Sequence, residues 1–276
     1  MENFDYLPKL HNCQLIIARE IKRICDENNI KYFIIAGTLL GAIRHGGFIP
    51  WDDDMDIGML REDYEKFINI AKTDLSEDFF LQTVETDKKY GLPFAKILLK
   101  GTILVEMAAG SDAQKGIFVD IFPFDISPED ENAKNQHDKK TYLYRRLLLS
   151  KLNYKVWKKN EYVKRAVYFV LKIISMFFGR DKLCKKLDQE ITKYNGEKSD
   201  YIVNIGGAYG YRKETIKAAW VRETVEIPFE DMTISAPVDY IEYLETFYGD
   251  YMTPPPEDKR YNRHSVTQLD FGKYAD

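Results

Sequence analysis

The stretch that decides how this chain is read is Gly37-Thr-Leu-Leu-Gly-Ala-Ile-Arg-His45-Gly-Gly-Phe-Ile-Pro50-Trp-Asp-Asp-Asp54-Met-Asp56-Ile-Gly58. Four of the five residues from 52 to 56 are aspartates, and without a cation their carboxylates repel one another. On an extended backbone, side chains two apart share a face. Asp52, Asp54 and Asp56 therefore point one way, and Asp53 and Met55 the other. Asp54 and Asp56 on one face make a hard oxygen site of the kind that holds Mg²⁺ or Mn²⁺ together with substrate phosphates and waters. A run of acids is more often a solvated loop. Here it is bracketed by Trp51, Met55 and Ile57 and follows a Gly46-Gly47 turn, which favours metal binding.

Working upstream, Lys31-Tyr-Phe-Ile-Ile-Ala36 is rich in β-formers and reads as a strand. Gly37 and Thr38 leave it and enter a short helix over residues 39–44, offering backbone N–H groups to a phosphate. An amphipathic helix over residues 5–28 precedes it, with Leu15, Ile16, Ala18, Ile21 and Ile24 at helical spacing. Downstream, residues 55–59 read as a strand and 62–72 as a helix. Residues 79–84, 94–99, 103–107 and 117–122 are further strands, which gives an α/β arrangement with a mixed sheet. The last of these holds Gly116-Ile-Phe-Val-Asp120-Ile-Phe-Pro-Phe-Asp125. Asp120 is a lone acid among apolar residues; a buried carboxylate needs a partner or a metal, and a two-metal site commonly draws a third carboxylate. Asp125, after Pro123, is expected on a turn.

The middle of the chain differs. Residues 128–200 are helical, basic and Tyr-rich, and from 139 to 186 fifteen Lys and Arg face two acids, Glu161 and Asp181. The net charge of the whole chain is −4, so the rest is strongly acidic, and this stretch calls for an anionic partner. Within it, Ala166-Val-Tyr-Phe-Val-Leu-Lys-Ile-Ile-Ser-Met-Phe-Phe178 is too short to span a bilayer, which takes about 20 residues. It is either a buried core helix or a helix lying in a membrane interface between Lys164, Arg165, Arg180 and Lys182. The basic run lacks a patterned stacking motif, so nucleic acid is not the expected partner. Cys13, Cys25 and Cys184 are odd in number and far apart, which supports neither a disulfide framework nor a zinc site. The first residues lack the basic and apolar segments of a signal peptide, and together these features point to a cytoplasmic protein.

Taken whole, residues 37–58 closely resemble the signature of the LicD family, to which the fukutin-related proteins also belong. The resemblance continues at Ala95-Lys96, at Phe118-Val-Asp120-Ile-Phe-Pro-Phe-Asp125, and at Tyr248-Gly-Asp250-Tyr251-Met with Pro254-Pro255. It spans most of the chain except the basic middle. One local departure is Gly46-Gly47, where many relatives carry Gly-His or Lys-Gly.

The resemblance implies an α/β (α+β) nucleotidyltransferase-type mixed sheet with flanking helices, plus a helical, basic insertion. Residues 1–127 would be the catalytic core. Residues 128–200 would be the basic region touching membrane or acceptor, and 201–276 the part that completes the catalytic unit. It implies Mg²⁺-dependent transfer of a phospho-alcohol, usually phosphocholine from CDP-choline, to a sugar of a cell-surface glycan such as teichoic acid or lipopolysaccharide. Eukaryotic relatives transfer ribitol phosphate from CDP-ribitol. Asp54 and Asp56 match the family's metal-binding Asp-x-Asp, and Asp120 its third acid.

Gly37, Thr38, Arg44, His45, Lys96 and His264 are the candidate contacts to the donor, although His45 can equally cap the short helix. A phosphocholine donor needs an aromatic cage, for which Trp51, Tyr209, Tyr211 and Trp220 are candidate walls. A lipid-linked glycan acceptor places the enzyme at the inner face of the plasma membrane, held there by the basic middle. Two other readings compete: adenylyl transfer to a small molecule on the same core, and a non-catalytic basic adaptor. The first lacks the long motif, and the three intact aspartates oppose the second.

Overall fold

In the computed structural model, which describes residues 5–106, 112–154, 161–260 and 266–275, the apolar run around Asp120 is the axis. The first part of the chain runs α1 (Leu7–Asn28), β1 (Phe33–Ile34), α2 (Ala36–His45), β2 (Asp56–Leu60), α3 (Arg61–Asp74), β3 (Phe79–Gln82), β4 (Ala95–Leu99), β5 (Ile103–Glu106) and β6 (Ile117–Ile126). Three helices follow, α4 (Glu131–Lys151), α5 (Tyr162–Met176) and α6 (Arg180–Ile191). The remainder is β7 (Tyr201–Val203), β8 (Thr215–Lys217), α7 (Ala219–Arg222), β9 (Thr224–Phe229), β10 (Met232–Pro237), α8 (Tyr240–Tyr248) and β11 (Val266–Asp270).

The main sheet has seven strands in the order β1-β2-β6-β4-β3, with β7 and then β8 carrying on from the end of β6. β2 and β6 are parallel and the other pairs antiparallel. This is the mixed sheet with flanking helices that the sequence implies. Two ribbons complete the fold, β9 with β10 and β5 with β11.

The period of two along β6 explains how the sheet is used. Ile117, Val119 and Ile121 are fully buried, on the core side against which α1 and α3 pack. Leu10, Ile17, Ile21 and Ile24 give α1 its buried stripe, each contributing about 1.5–3 kcal/mol of burial. Asn29, in the left-handed conformation at φ 52°, ends α1 and returns its N–H to Cys25. The alternate residues of β6, Phe118, Asp120 and Phe122, face a cavity of about 980 Å³.

Two expectations about β6 and its surroundings change. The strand does not stop at Phe122 but runs through Pro123 to Ile126. Pairing with β4 ends at Ile121 and pairing with β7 begins at Asp125. Pro123, in register with Met59 of β2, therefore falls in the gap on the strand's other edge, where no partner needs its missing N–H. Asp125 is accordingly no turn residue. Its side chain is 0% exposed and takes the Arg61 guanidinium in two parallel hydrogen bonds of 2.7 and 2.6 Å, with Asn195 donating at 2.7 Å. The strand expected over residues 31–36 is also shorter: only Phe33 and Ile34 pair, and Ala36 at φ 49° turns the chain into α2.

The basic middle is helical as expected. Asp130 caps α4 by accepting from the Ala133 N–H at 2.8 Å. Residues 166–178, however, do not form a buried core helix. Val163, Val167, Val170, Ile174 and Phe177 form a stripe at helical spacing on the outside, Val163 80% and Phe177 83% exposed. Lys172 does not interrupt it; its ammonium turns inward to the Lys151 carbonyl at 2.8 Å and to Asn153 at 2.6 Å. Among the described residues no helix is long and apolar enough to cross a membrane.

The Arg61–Asp125 pair yields a test. Arg61→Met leaves Asp125 charged and buried, and is expected to cost about 3–5 kcal/mol in urea unfolding. Pairing it with Asp125→Leu should recover part of that loss.

Candidate active site

The parallel register of β2 on β6 sets Asp56 directly beside Asp120, and the antiparallel register of β4 on β6 sets Lys96 on its other side. Gln82 of β3 faces Lys96 in turn. A polar row thus crosses four strands of an otherwise apolar sheet, and every member lines the cavity. The Lys96 ammonium lies 3.0 Å from Asp120 Oδ1 and 3.1 Å from the centre of the Phe118 ring. The Lys96 ammonium is the charged partner of Oδ1, which is buried. Burial raises the Asp120 carboxyl above the ordinary carboxylate range, against the pull of Lys96.

The acidic run arrives at this row from the edge of the sheet. Asp52, Asp54 and Asp56 line the cavity, whereas Asp53 and Met55 are buried and do not; residues 52–55 lie outside any strand, so the two-residue alternation is not strict, and the Asp53 carboxylate stays close to those of Asp52 and Asp54. Two side chains of α1 hold the run by its backbone. His11 Nε2 bonds the Asp52 carbonyl at 2.8 Å, and Gln14 donates to the Asp53 carbonyl at 2.8 Å. His11 stacks on Phe48 at 4.0 Å, and burial lowers its basicity. Sequence reasoning missed this pair. Its signal is two polar residues three apart on the buried face of an amphipathic helix.

Gly37 lies at the start of α2 on the cavity wall. A Cβ there would sit 2.5 Å from Asp52 Oδ2, so glycine is what lets the Asp52 carboxylate settle against the helix. Thr38 has a further part in the site through its side chain. It is 2% exposed, and its hydroxyl oxygen accepts the Asp56 N–H at 2.8 Å, which fixes the start of β2. Arg44 lines the cavity and donates to the Tyr251 carbonyl at 2.9 Å. His45 is exposed at the other end of α2, about 15 Å of helix from its start, where it meets Trp51 edge-on at 5.8 Å. The Gly46-Gly47 turn next to it is closed by Glu230, which accepts from the Phe48 N–H at 2.9 Å. His264 lies outside the described residues.

A further part of the cavity wall comes from the last third of the chain. Tyr209 meets Phe247 and Tyr248 edge-on at 5.7 and 6.3 Å, and Tyr243 stacks on Phe247 at 4.6 Å. All four rings line the cavity, with Trp51. Tyr211 and Trp220 are not part of it. Tyr211 is buried against His137 and Ser127, and Trp220 packs against the main core. Glu214, 5% exposed, also lines this wall and accepts from the Tyr209 N–H at 3.0 Å. Burial pushes its carboxyl up to about 7. Sequence reading passed over it, since a lone Glu among polar residues carries no signal of burial.

The donor set suits a hard divalent cation: carboxylate oxygens only, one of them buried beside the Lys96 ammonium. Among the described residues, the three acids whose carboxylate oxygens lie mutually within 4.8 Å are Asp52, Asp53 and Asp54. Asp56 and Asp120 join Asp54 along the cavity wall rather than within that tight group.

Residues 29–155 match the family described as LicD/FKTN/FKRP, nucleotidyltransferase domain. The chain is 31% identical over 246 residues to the lipopolysaccharide cholinephosphotransferase LicD of Haemophilus influenzae, a match covering 87% of this chain and 89% of that protein. It is also 44% identical over 46 residues to the human ribitol 5-phosphate transferase FKRP, covering 17% of this chain and 9% of that one. An uncharacterized protein of Rickettsia typhi is 50% identical over 54 residues, 20% of this chain and 18% of its own.

The clamp on the acidic run can be tested by removing single partners. Thr38→Val strips the Asp56 N–H of its acceptor, and Gln14→Leu leaves the Asp53 carbonyl without its donor. Each is expected to cost about 1–3 kcal/mol in urea unfolding. Unchanged midpoints for both would mean that the loop is held by other contacts.

Proposed function

The chain belongs to the LicD/FKTN/FKRP nucleotidyltransferase-domain family, and on that footing we propose that it transfers a phospho-alcohol, phosphocholine from CDP-choline, to a sugar hydroxyl of a cell-surface glycan. The observation that carries this reading is the row Asp56–Asp120–Lys96, set side by side by strand register on the floor of a cavity. Carboxylates beside a lysine at the base of a pocket are groups for handling a diphosphate, not a hydrophobic ligand.

Asp54, Asp56 and Asp120 would hold Mg²⁺ or Mn²⁺, which when bound offsets the charge at the transferring phosphorus. Lys96 adds positive charge to the same wall for the donor's phosphate oxygens, and Arg44 extends it toward the rim. Thr38, His11 and Gln14 keep the acids in place. Asp120, whose carboxyl is raised by burial, orients the acceptor hydroxyl or takes its proton as that oxygen bonds to phosphorus. CMP leaves with the electron pair of the broken P–O bond. A ribitol or glycerol phosphate donor is the second reading, favoured by the short match to the ribitol 5-phosphate transferase.

The acceptor is lipid-linked in this reading, and the outer stripe of α5 supports it. The stripe is apolar and flanked by Lys164 and Arg165. It suits a helix lying in the plane of an anionic membrane surface, at the inner face of the plasma membrane.

Three measurements test these proposals. CMP release is expected with CDP-choline in a screen that also holds CDP-ribitol, CDP-glycerol and CDP-ethanolamine; release with ATP alone would point to adenylyl transfer instead. Activity should vanish with a chelator and return with Mg²⁺ or Mn²⁺, and Asp56→Asn should cost about 10²–10³-fold in turnover. Replacing Phe169 and Phe177 together by Glu should weaken binding to phosphatidylserine vesicles by at least about tenfold; equal binding by the wild type and this variant would remove α5 from the membrane.

A further inference from the structure

The acid row accounts for the donor's phosphates but leaves the aromatic part of the cavity wall without a task. That wall has an unusual composition. Four aromatic rings, Tyr209, Tyr243, Phe247 and Tyr248, meet one another there, and the one carboxylate among them, Glu214, is almost fully buried. No Lys or Arg among the described residues forms an ion pair with Glu214. Arg145, whose guanidinium is the nearest in influence, is bound to the Ile205 and Gly206 carbonyls at 2.9 and 3.3 Å. Lys213 is exposed, outside the cavity wall, and lies over the Tyr209 ring at 4.8 Å. A buried carboxylate without a counter-ion is costly unless a cation comes to it.

We propose that Glu214 with the rings of Tyr209, Tyr243, Phe247 and Tyr248 is the subsite that selects a quaternary ammonium head on the donor. The inference deepens the phosphocholine reading above and rests on it. A trimethylammonium group has no N–H to donate. It is recognised by aromatic rings and by a nearby negative charge, and this wall brings both to the cavity.

The hydroxyls of this wall already have partners within the protein. The Tyr209 and Tyr248 hydroxyls lie 3.3 Å from each other, and the Tyr243 hydroxyl is engaged by the Ala36 N–H at 3.4 Å. The backbone is also shaped for Glu214. A Cβ on Gly207 would lie 2.1 Å from its Oε1 and 2.5 Å from its Oε2. A side chain there would drive the carboxylate off the Tyr209 N–H that holds it.

The test is calorimetric binding to the full-length chain with three ligands: CDP-choline, CDP-glycerol, and the CDP ester of 3,3-dimethylbutanol, the uncharged carbon isostere of choline. Wild-type protein should bind CDP-choline at least about tenfold more tightly than either of the others. Glu214→Gln and Tyr209→Leu, each checked by circular dichroism, should each shrink the preference for CDP-choline over CDP-glycerol by about tenfold or more.

If the wild type prefers CDP-choline to CDP-glycerol but binds the isostere equally well, charge recognition by Glu214 is wrong while the phosphocholine reading stands. Folded variants that keep the full preference overturn the subsite in the same way. If the wild type shows no preference for CDP-choline over CDP-glycerol, the phosphocholine reading itself fails, and the subsite with it. The isostere comparison needs no variant, so a misfolded Glu214→Gln would leave the proposal testable.

Discussion

The parallel pairing of β2 with β6 is the constraint on which the rest depends. It puts Asp56 and Asp120 shoulder to shoulder, an arrangement that like charges resist. The fold supports it from three directions. Lys96 stands on the far side of Asp120, the Thr38 hydroxyl pins the Asp56 backbone, and α1 holds the preceding loop by two carbonyls. The core face of the same strands carries the apolar packing against α1 and α3. The sheet is therefore stabilised by one face and made chemically active by the other.

Charge is kept where it does work and neutralised where it does not. Asp125, five residues beyond Asp120 on the same strand, is closed off by a bidentate arginine and an amide. It has no oxygen to offer a ligand. Asp120 faces the cavity with one oxygen beside the Lys96 ammonium. The difference between a closed-off and a cavity-facing carboxylate on one strand lies in what the neighbouring elements place opposite each.

Much of this was legible in the sequence, because periodicity and punctuation act locally. The α/β order, the common side of Asp52, Asp54 and Asp56, the lone Asp120 and the helical basic middle all follow from spacing. What escaped depended on partners distant in sequence. Pro123 looked like a strand end because the gap between β4 and β7 is invisible until both strands are in place. The Thr38 hydroxyl went unread because nothing local says that the Asp56 N–H comes to meet it. Whether residues 166–178 lie in the core or on the outside was open in the sequence, and the turn of Lys172 toward α4 is a tertiary fact. Tyr211 and Trp220 were as aromatic as Tyr209, and only packing separates wall from interior.

Gly207 and Glu214 carry a consequence for reading related chains. The carboxylate occupies the space that any side chain at 207 would fill, so neither position can vary freely while the other is kept. An acid here demands glycine seven residues earlier, and loss of the acid releases that demand. The two positions should covary as a unit, the small residue kept wherever the acid is.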